Sequence, residues 1–253
     1  MILTDRDRQA LELFDEIVVS FSAGKDSLTC LRWALETGKR VRAILADTGN
    51  EPPDTPEYLH YVERALGVPI EVYQREGHTF AEIVRGRKVG EQQGMWPIPG
   101  KCLVSRTVKQ DDFKWYLKRT DTSDNALMIL GQRASESKRR ATLPDFSPIV
   151  RSGLPCYRPI LDWSLDDVFS FLGREGLRAH PAYGNGRKRV GCVWCVNSAH
   201  DDLVRDEQLY PERCTELRVL RAEIGLASTL PGVSQAELFS EQDVCRYDAV
   251  HCE

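Results

Sequence analysis

Apolar residues along the chain fall into two rhythms. Short, mostly apolar or β-branched runs at Ile17–Phe21, Val41–Ala46, Ile70–Tyr73 and Ala126–Leu130 have the length of strands. Between them the period lengthens. Leu28, Leu31 and Leu35 recur at helical spacing, and a second helix is predicted from Thr55 to Leu66, stopped by Gly67. Strands separated by helices predict the α/β class, with a parallel sheet carrying helices on both faces. Ligands on such sheets bind beyond the carboxyl ends of the strands, so the residues that follow each run matter most. Gly90–Gly100, rich in Gly, Pro and Gln, reads as a mobile loop. Beyond Pro144 the rhythm changes. A short strand around Tyr157–Leu161 leads to a helix capped by Ser164, with Asp166 and Asp167 in its first turn. The irregular stretch His180–Cys195, a charged helix from Asp201 to Ile224 and a polar tail follow. Two regions are expected: a sheet-bearing domain over 1–175, and a mostly helical 176–253 whose cysteine-bearing loop, helix and tail pack on it.

Composition narrows the options. At 253 residues, 42% hydrophobic and 28% charged, the chain is an ordinary globular one. No apolar run approaches the roughly 20 residues that cross a bilayer. The amino terminus is charged within a few residues, unlike a signal peptide, so a cytoplasmic location without membrane contact is expected. A net charge of −4 argues against a broad basic face for coating nucleic acid. Three local basic clusters remain, at Arg85–Lys88, Lys138–Arg140 and Arg187–Arg189. Eight cysteines in a reducing compartment direct attention to metal or redox chemistry rather than disulfides.

The most informative segment is Ser20-Phe21-Ser22-Ala23-Gly24-Lys25-Asp26-Ser27, between the first strand and its helix. Small residues let backbone approach a phosphate, and the amides at the helix start present partial positive charge to it. Lys25 adds a mobile cation, Ser22 and Ser27 supply hydroxyls, and Asp26, expected to face solvent and phosphate, suits Mg²⁺. A Walker A loop is excluded, because Asp26 follows Lys25 and Val19 stands at the first glycine's place.

The segment resembles the Ser-Gly-Gly-x-Asp-Ser PP-loop of the ATP pyrophosphatases, with Ala23 in place of the first glycine. Asp47-Thr48-Gly49, after the second strand, is similar to the Asp-Thr-Gly segment of the phosphoadenosine phosphosulfate (PAPS) reductase branch. Gly131-Gln132-Arg133-Ala134-Ser135-Glu136-Ser137, with Arg140, resembles that branch's Gly-x-Arg-x-x-Glu-Ser segment. The resemblance extends to about Asp202 and includes Pro159-Ile160-x-x-Trp163. It implies an adenine nucleotide α-hydrolase-like fold that holds ATP or PAPS with Mg²⁺, with Arg133 facing a phosphate or sulfate, as its planar guanidinium suits.

Gly191-Cys192-Val193-Trp194-Cys195 holds a C-x-x-C pair, compatible with a redox dithiol, half a zinc site or part of an iron-sulfur centre. Some members of the branch hold a [4Fe-4S] cluster through Cys-Cys-x-x-Arg and a later Cys-x-x-Cys. Cys102 and Arg106 match the first element, but Leu103 stands at its second cysteine. The resemblance therefore implies Cys102, Cys192 and Cys195 as ligands, with Cys214, Cys156 or an outside group as a fourth, and zinc as the alternative metal. Cys30 reads as core. His180 and His200, nearest the cysteine pair, are the histidines worth testing.

Three functions are compatible with these residues. The first is cleavage of ATP to AMP and pyrophosphate to activate an acceptor for sulfur transfer. It is similar to the sulfur-transfer component of DNA phosphorothioation and to tRNA thiolation enzymes, and implies a nucleic-acid or sulfur-donor protein partner. The second is reduction of PAPS or adenylyl sulfate by a cysteine thiolate. That branch carries the thiolate in a Glu-Cys-Gly-Leu-His motif, whereas these residues end Val250-His251-Cys252-Glu253. The third is a non-catalytic adenine-nucleotide-binding regulator.

Overall fold

The computed structural model describes residues 3–86, 88–89, 92–148 and 150–226, without the side chains at 88, 89, 92 and 93. Cys245 and Cys252 lie outside the described residues. The strands in chain order are β1 (Glu16–Phe21), β2 (Arg40–Ala46), β3 (Ile70–Tyr73), β4 (Lys88–Val89), β5 (Gln92–Gln93), β6 (Ala126–Ile129), β7 (Phe146–Ser147) and β8 (Cys156–Tyr157). Six of them form one sheet in the order β3-β2-β1-β6-β8-β7, and β4 pairs with β5 as a separate hairpin. All pairs of the large sheet are parallel except β7 with β8. Order reverses at β1, which lies between β2 and β6. In open α/β sheets that crevice is where ligands bind.

β1 is buried on both faces, which explains its apolar stretch Ile17–Val19. Val18, Ile44, Met128 and Cys156 point to one face and pack with Tyr73, Phe113 and Leu117. The Lys25–Leu35 helix buries Leu28, Leu31, Trp33 and Ala34, and Trp33 meets the ring of Tyr157 at 5.8 Å. Each such side chain withdrawn from water contributes roughly 1.5–3 kcal/mol. The Thr55–Leu66 helix forms where expected. Pro56 starts it without wasting an N–H, and Gly67 closes it at φ 66°, a left-handed conformation that suits glycine.

Several expectations need correction. The strand around Tyr157–Leu161 is only Cys156–Tyr157, since Pro159 has no N–H to extend the ladder. The expected helix from Asp201 to Ile224 is two helices, His200–Leu209 and Pro211–Glu223. Tyr210 sits between them at φ −132°, ψ 53°, because a residue before proline is pushed out of the helical region. The stretch expected to be a mobile loop is anchored at Trp96. Its buried ring meets Phe80 edge-on at 5.2 Å and lies under Arg221 at 5.0 Å. A side chain at Gly94 would come within 2.3 Å of Ile224, so glycine permits that packing.

The chain falls into two compact units. One compact unit is built from Met1–Ala46, Asp54–Tyr73 and Lys109–Pro181; the other comprises Asp47–Pro53, Gln74–Val108 and the described part of Ala182–Glu253. The segments leaving the carboxyl ends of β2 and β3 thus belong with the cysteine-bearing residues, a grouping that linear order hides. Among the described residues no helix is long and apolar enough to cross a membrane.

Candidate functional site

In the first unit, β1 ends at Phe21 and the chain turns through Ser22–Gly24 into the Lys25–Leu35 helix. Ser27 holds the turn shut. Its hydroxyl donates to the Gly24 carbonyl at 2.9 Å and accepts from the Ser22 N–H and hydroxyl at 3.2 Å. Ala23 lies at φ 59°, a left-handed conformation that glycine adopts without strain. Gly24 is the helix N-cap and contributes no side-chain cap, so the turn is lined by backbone.

Asp26 is the hub. Contrary to the expectation that it faces solvent, it is only 9% exposed, with Lys25 at 4% and Arg133 at 6%. Its carboxylate accepts from Lys25 Nζ at 2.9 Å and from Arg133 Nε at 2.7 Å. Arg133 reaches it from the segment after β6 and donates a further bond to Ser135 Oγ at 2.8 Å. Glu136 accepts the Arg133 N–H at 2.8 Å and pairs with Arg140. Arg140 therefore holds Arg133's segment through Glu136. Gly131 explains how the two segments come so close. A Cβ there would lie 2.7–2.8 Å from the backbone of Asp26 and Ser27. The sheet thus gathers Ser22, Ala23, Gly24, Lys25, Asp26, Ser27, Gly131 and Arg133 in one corner.

Asp47, Thr48 and Gly49 belong to the second unit. Asp47 accepts the Gly49 N–H at 2.7 Å, closing a tight turn with Gly49 at φ 69°. Thr48 is buried; its hydroxyl donates to the Glu51 carboxylate and lies 3.6 Å from Cys192 Sγ. Asn50 binds Val193 twice, accepting its N–H at the main-chain carbonyl (2.8 Å) and donating from Nδ2 to its carbonyl (2.9 Å). Arg213 in turn donates to Asn50 Oδ1 at 3.0 Å and to the Gly49 carbonyl at 2.5 Å. From the other side, Asp206 accepts the N–H of Trp194, itself at a left-handed φ of 54°. Asp206 also pairs with the fully buried Arg187 at 3.2 Å. Burial pushes the Asp206 carboxyl up to about 7, even with Arg187 beside it.

The cysteines sort by burial. Cys102, Cys192 and Cys195 are partly exposed, whereas Cys30, Cys156 and Cys214 are buried. Cys102 accepts the Ser105 N–H at 3.5 Å at the start of a helix. Burial raises the Cys30 thiol, as a core residue requires, and raises Cys156 to about 11. Burial also pushes the Cys214 thiol well up, reinforced by the Glu207 and Asp206 carboxylates. Cys214, one of the candidates for a fourth ligand, therefore rests as a neutral thiol while no metal holds it. Among the described residues, no three His, Cys, Asp or Glu side chains converge in a metal-holding group. His180 is buried edge-on to Tyr58 at 4.8 Å and lies 3.6 Å from Asp54, a structural setting. Asn50 stood in the sequence only as a neighbour of Asp47-Thr48-Gly49, and Arg187 only as part of a basic cluster; Asp206 and Arg213 went unread, because the groups they bind lie far along the chain.

Comparison with known proteins adds the following. The family of the phosphoadenosine phosphosulfate reductase domain matches residues 16–198. An uncharacterised 37.8 kDa protein of Escherichia phage 186 is 29% identical over 77% of this chain and 71% of its own length. The adenosine 5'-phosphosulfate reductase of Allochromatium vinosum is 27% identical over 78% of this chain and 77% of its own. Among solved structures, the PAPS reductase of Candida auris superposes with a TM-score of 0.55 at 18% identity, covering 74% of this chain and 86% of that one. The U34-tRNA thiolase of Methanococcus maripaludis, solved with its [4Fe-4S] cluster, gives 0.50 at 13% identity over 95% and 83%. Both share the fold.

Proposed function

Because the chain belongs to the phosphoadenosine phosphosulfate reductase family, we propose that it is a PP-loop enzyme that adenylates an acceptor for sulfur transfer. An acceptor oxygen attacks the α-phosphorus of ATP, the bond to the β-phosphate breaks, and pyrophosphate leaves. Sulfide sulfur then attacks the activated carbon and AMP departs with the oxygen. The observation that carries this reading is the buried Lys25–Asp26–Arg133 cluster at the end of β1. Phosphates compete with Asp26 for both cations, and Asp26, so released, is free to take Mg²⁺. Lys25 and Arg133 then neutralise the charge that develops on pyrophosphate.

The family resemblance implies an iron-sulfur cluster, and the chemistry of three residues fits one. Cys102, Cys192 and Cys195 are partly exposed cysteines of one unit and would hold it, with Cys214 or an outside group as the fourth ligand. Bound there, the cluster would supply a metal-held route for sulfur; zinc in the same thiols would be structural. A nucleic acid as acceptor and a protein as sulfur donor are the partners this reaction calls for.

The names of the relatives favour a second reading, in which a cysteine, acting as its thiolate, attacks the sulfate sulfur of PAPS or adenylyl sulfate. One experiment separates them. The anaerobically purified chain is incubated with ATP, sulfide and bulk nucleic acid, or with PAPS and a dithiol reductant, and the products are identified. AMP and pyrophosphate from ATP, lost in Asp26→Asn, support adenylation. Sulfite and adenosine bisphosphate from PAPS, with no AMP from ATP, would establish the reductase. Binding of either nucleotide without turnover would leave a regulator.

A further inference from the structure

The turn that carries Cys192 and Cys195 is held from outside by two side chains. Val193 is wholly buried, and both its main-chain groups are satisfied by Asn50, itself 1% exposed. The side-chain half of that pairing works in only one orientation. A guanidinium has donors and no acceptor, so Arg213 must face Oδ1 of Asn50. The amide nitrogen is thereby directed at the Val193 carbonyl. Trp194, next along, is kept in its left-handed conformation by its N–H bond to Asp206. Thr48, two residues before Asn50, puts its hydroxyl 3.6 Å from Cys192 Sγ.

We propose that Asn50 is a positioning residue, oriented by Arg213, that sets the backbone conformation of the Cys192–Cys195 turn and so the reactivity of both thiols. It ties that turn to the Asp47–Glu51 segment, whose own turn depends on Gly49 and Glu51. The inference stands apart from the reaction proposed above, because it concerns thiol geometry and holds for whatever the thiols carry.

Asn50→Asp tests it with little change of shape. The carboxylate keeps Arg213 but turns an acceptor toward the Val193 carbonyl. The full-length chain, purified by one anaerobic procedure, is exposed to iodoacetamide, and alkylation of each cysteine is followed by peptide mass spectrometry. Cys192 and Cys195 should react about tenfold faster than in the wild type, the opening expected when one buried hydrogen bond is lost. Cys30, Cys156 and Cys214, all buried, report loosening of the fold and should be unchanged. Unchanged rates at Cys192 and Cys195 would overturn the proposal. If all the cysteines accelerate together, Arg213→Gln decides, since it removes the orienting donor at a partly exposed site without burying a charge. Selective acceleration of Cys192 and Cys195 in that variant supports the proposal. No acceleration, or an equal rise at Cys214, rejects it.

Discussion

In the sheet unit, Lys25 and Arg133 are buried on one shared carboxylate, Asp26, which leaves the cluster with an excess positive charge. In the cysteine unit, Arg187 is buried with one ion pair to Asp206, while its two terminal nitrogens and Asp202 Oδ2 make no hydrogen bond among the described residues. The first arrangement rests on strand ends whose positions the parallel ladder dictates. The second rests on single contacts between side chains and main chain: Asn50 to Val193, Asp206 to Trp194, Arg213 to Gly49. A rigid sheet can hold a charge cluster ready for a ligand. A unit assembled from loops and short helices must be tied piece by piece, and each buried tie matters more when cut.

Arg133→Ala should break the sheet unit's arrangement most. It leaves Asp26 with Lys25 as its ion-pair partner but removes the buried hydrogen bonds to Asp26 and Ser135, one of them to a charged acceptor, at about 3 kcal/mol. Urea denaturation should show that loss together with loss of nucleotide binding. A stability within about 0.5 kcal/mol of wild type would mean that the pair is not buried in solution.

Gly131→Ala should follow, at about 2 kcal/mol, because its Cβ meets backbone rather than a movable side chain. Binding of ATP by calorimetry should weaken as the Asp26 and Arg133 segments are forced apart. Undiminished affinity would show that the close approach is not needed for the site.

In the cysteine unit the corresponding lever is Asp206. Its pKa is raised from the ordinary 3.8 to about 7, so the folded chain holds this proton where the unfolded chain has released it. Its contribution therefore makes stability fall as pH rises through that window. Asp206→Asn should flatten the slope, as read by urea midpoints taken at about pH 5 and about pH 8. An equal slope in both proteins would remove Asp206 as the cause.

The smallest effect is expected at Ala23→Gly. Relief of the left-handed alanine is partly offset by the entropy of glycine, leaving a gain of up to about 1 kcal/mol. A loss of stability would mean that the methyl group packs favourably enough to outweigh the strain.

Local rules made much of this protein legible before its fold was known. Periodicity marked β1, β2, β3, the Lys25–Leu35 helix and the Thr55–Leu66 helix, because each is short, regular and decided by its own side chains. The loop Ser22–Ser27 declared itself because phosphate binding needs small residues, a cation and a helix start in consecutive positions. The segment at Gly131–Arg133 could be recognised as a motif, but its purpose could not. That glycine is needed because Asp26's backbone passes beside it, which is a fact of strand order. The same holds for the anchoring of Trp96, where distant packing decides. The break at Tyr210 is local, set by Pro211, and was there to be read. That Cys214 is buried while Cys102, Cys192 and Cys195 are partly exposed is again a tertiary fact. The roles of Asn50, Asp206, Arg187 and Arg213 were not legible, since a side chain whose partner lies more than ten residues away leaves no spacing to read. Composition and period determined which elements form and where the phosphate loop lies. Only the tertiary structure decided which charges are buried together and what holds the cysteine turn, because burial and pairing depend on approach in space.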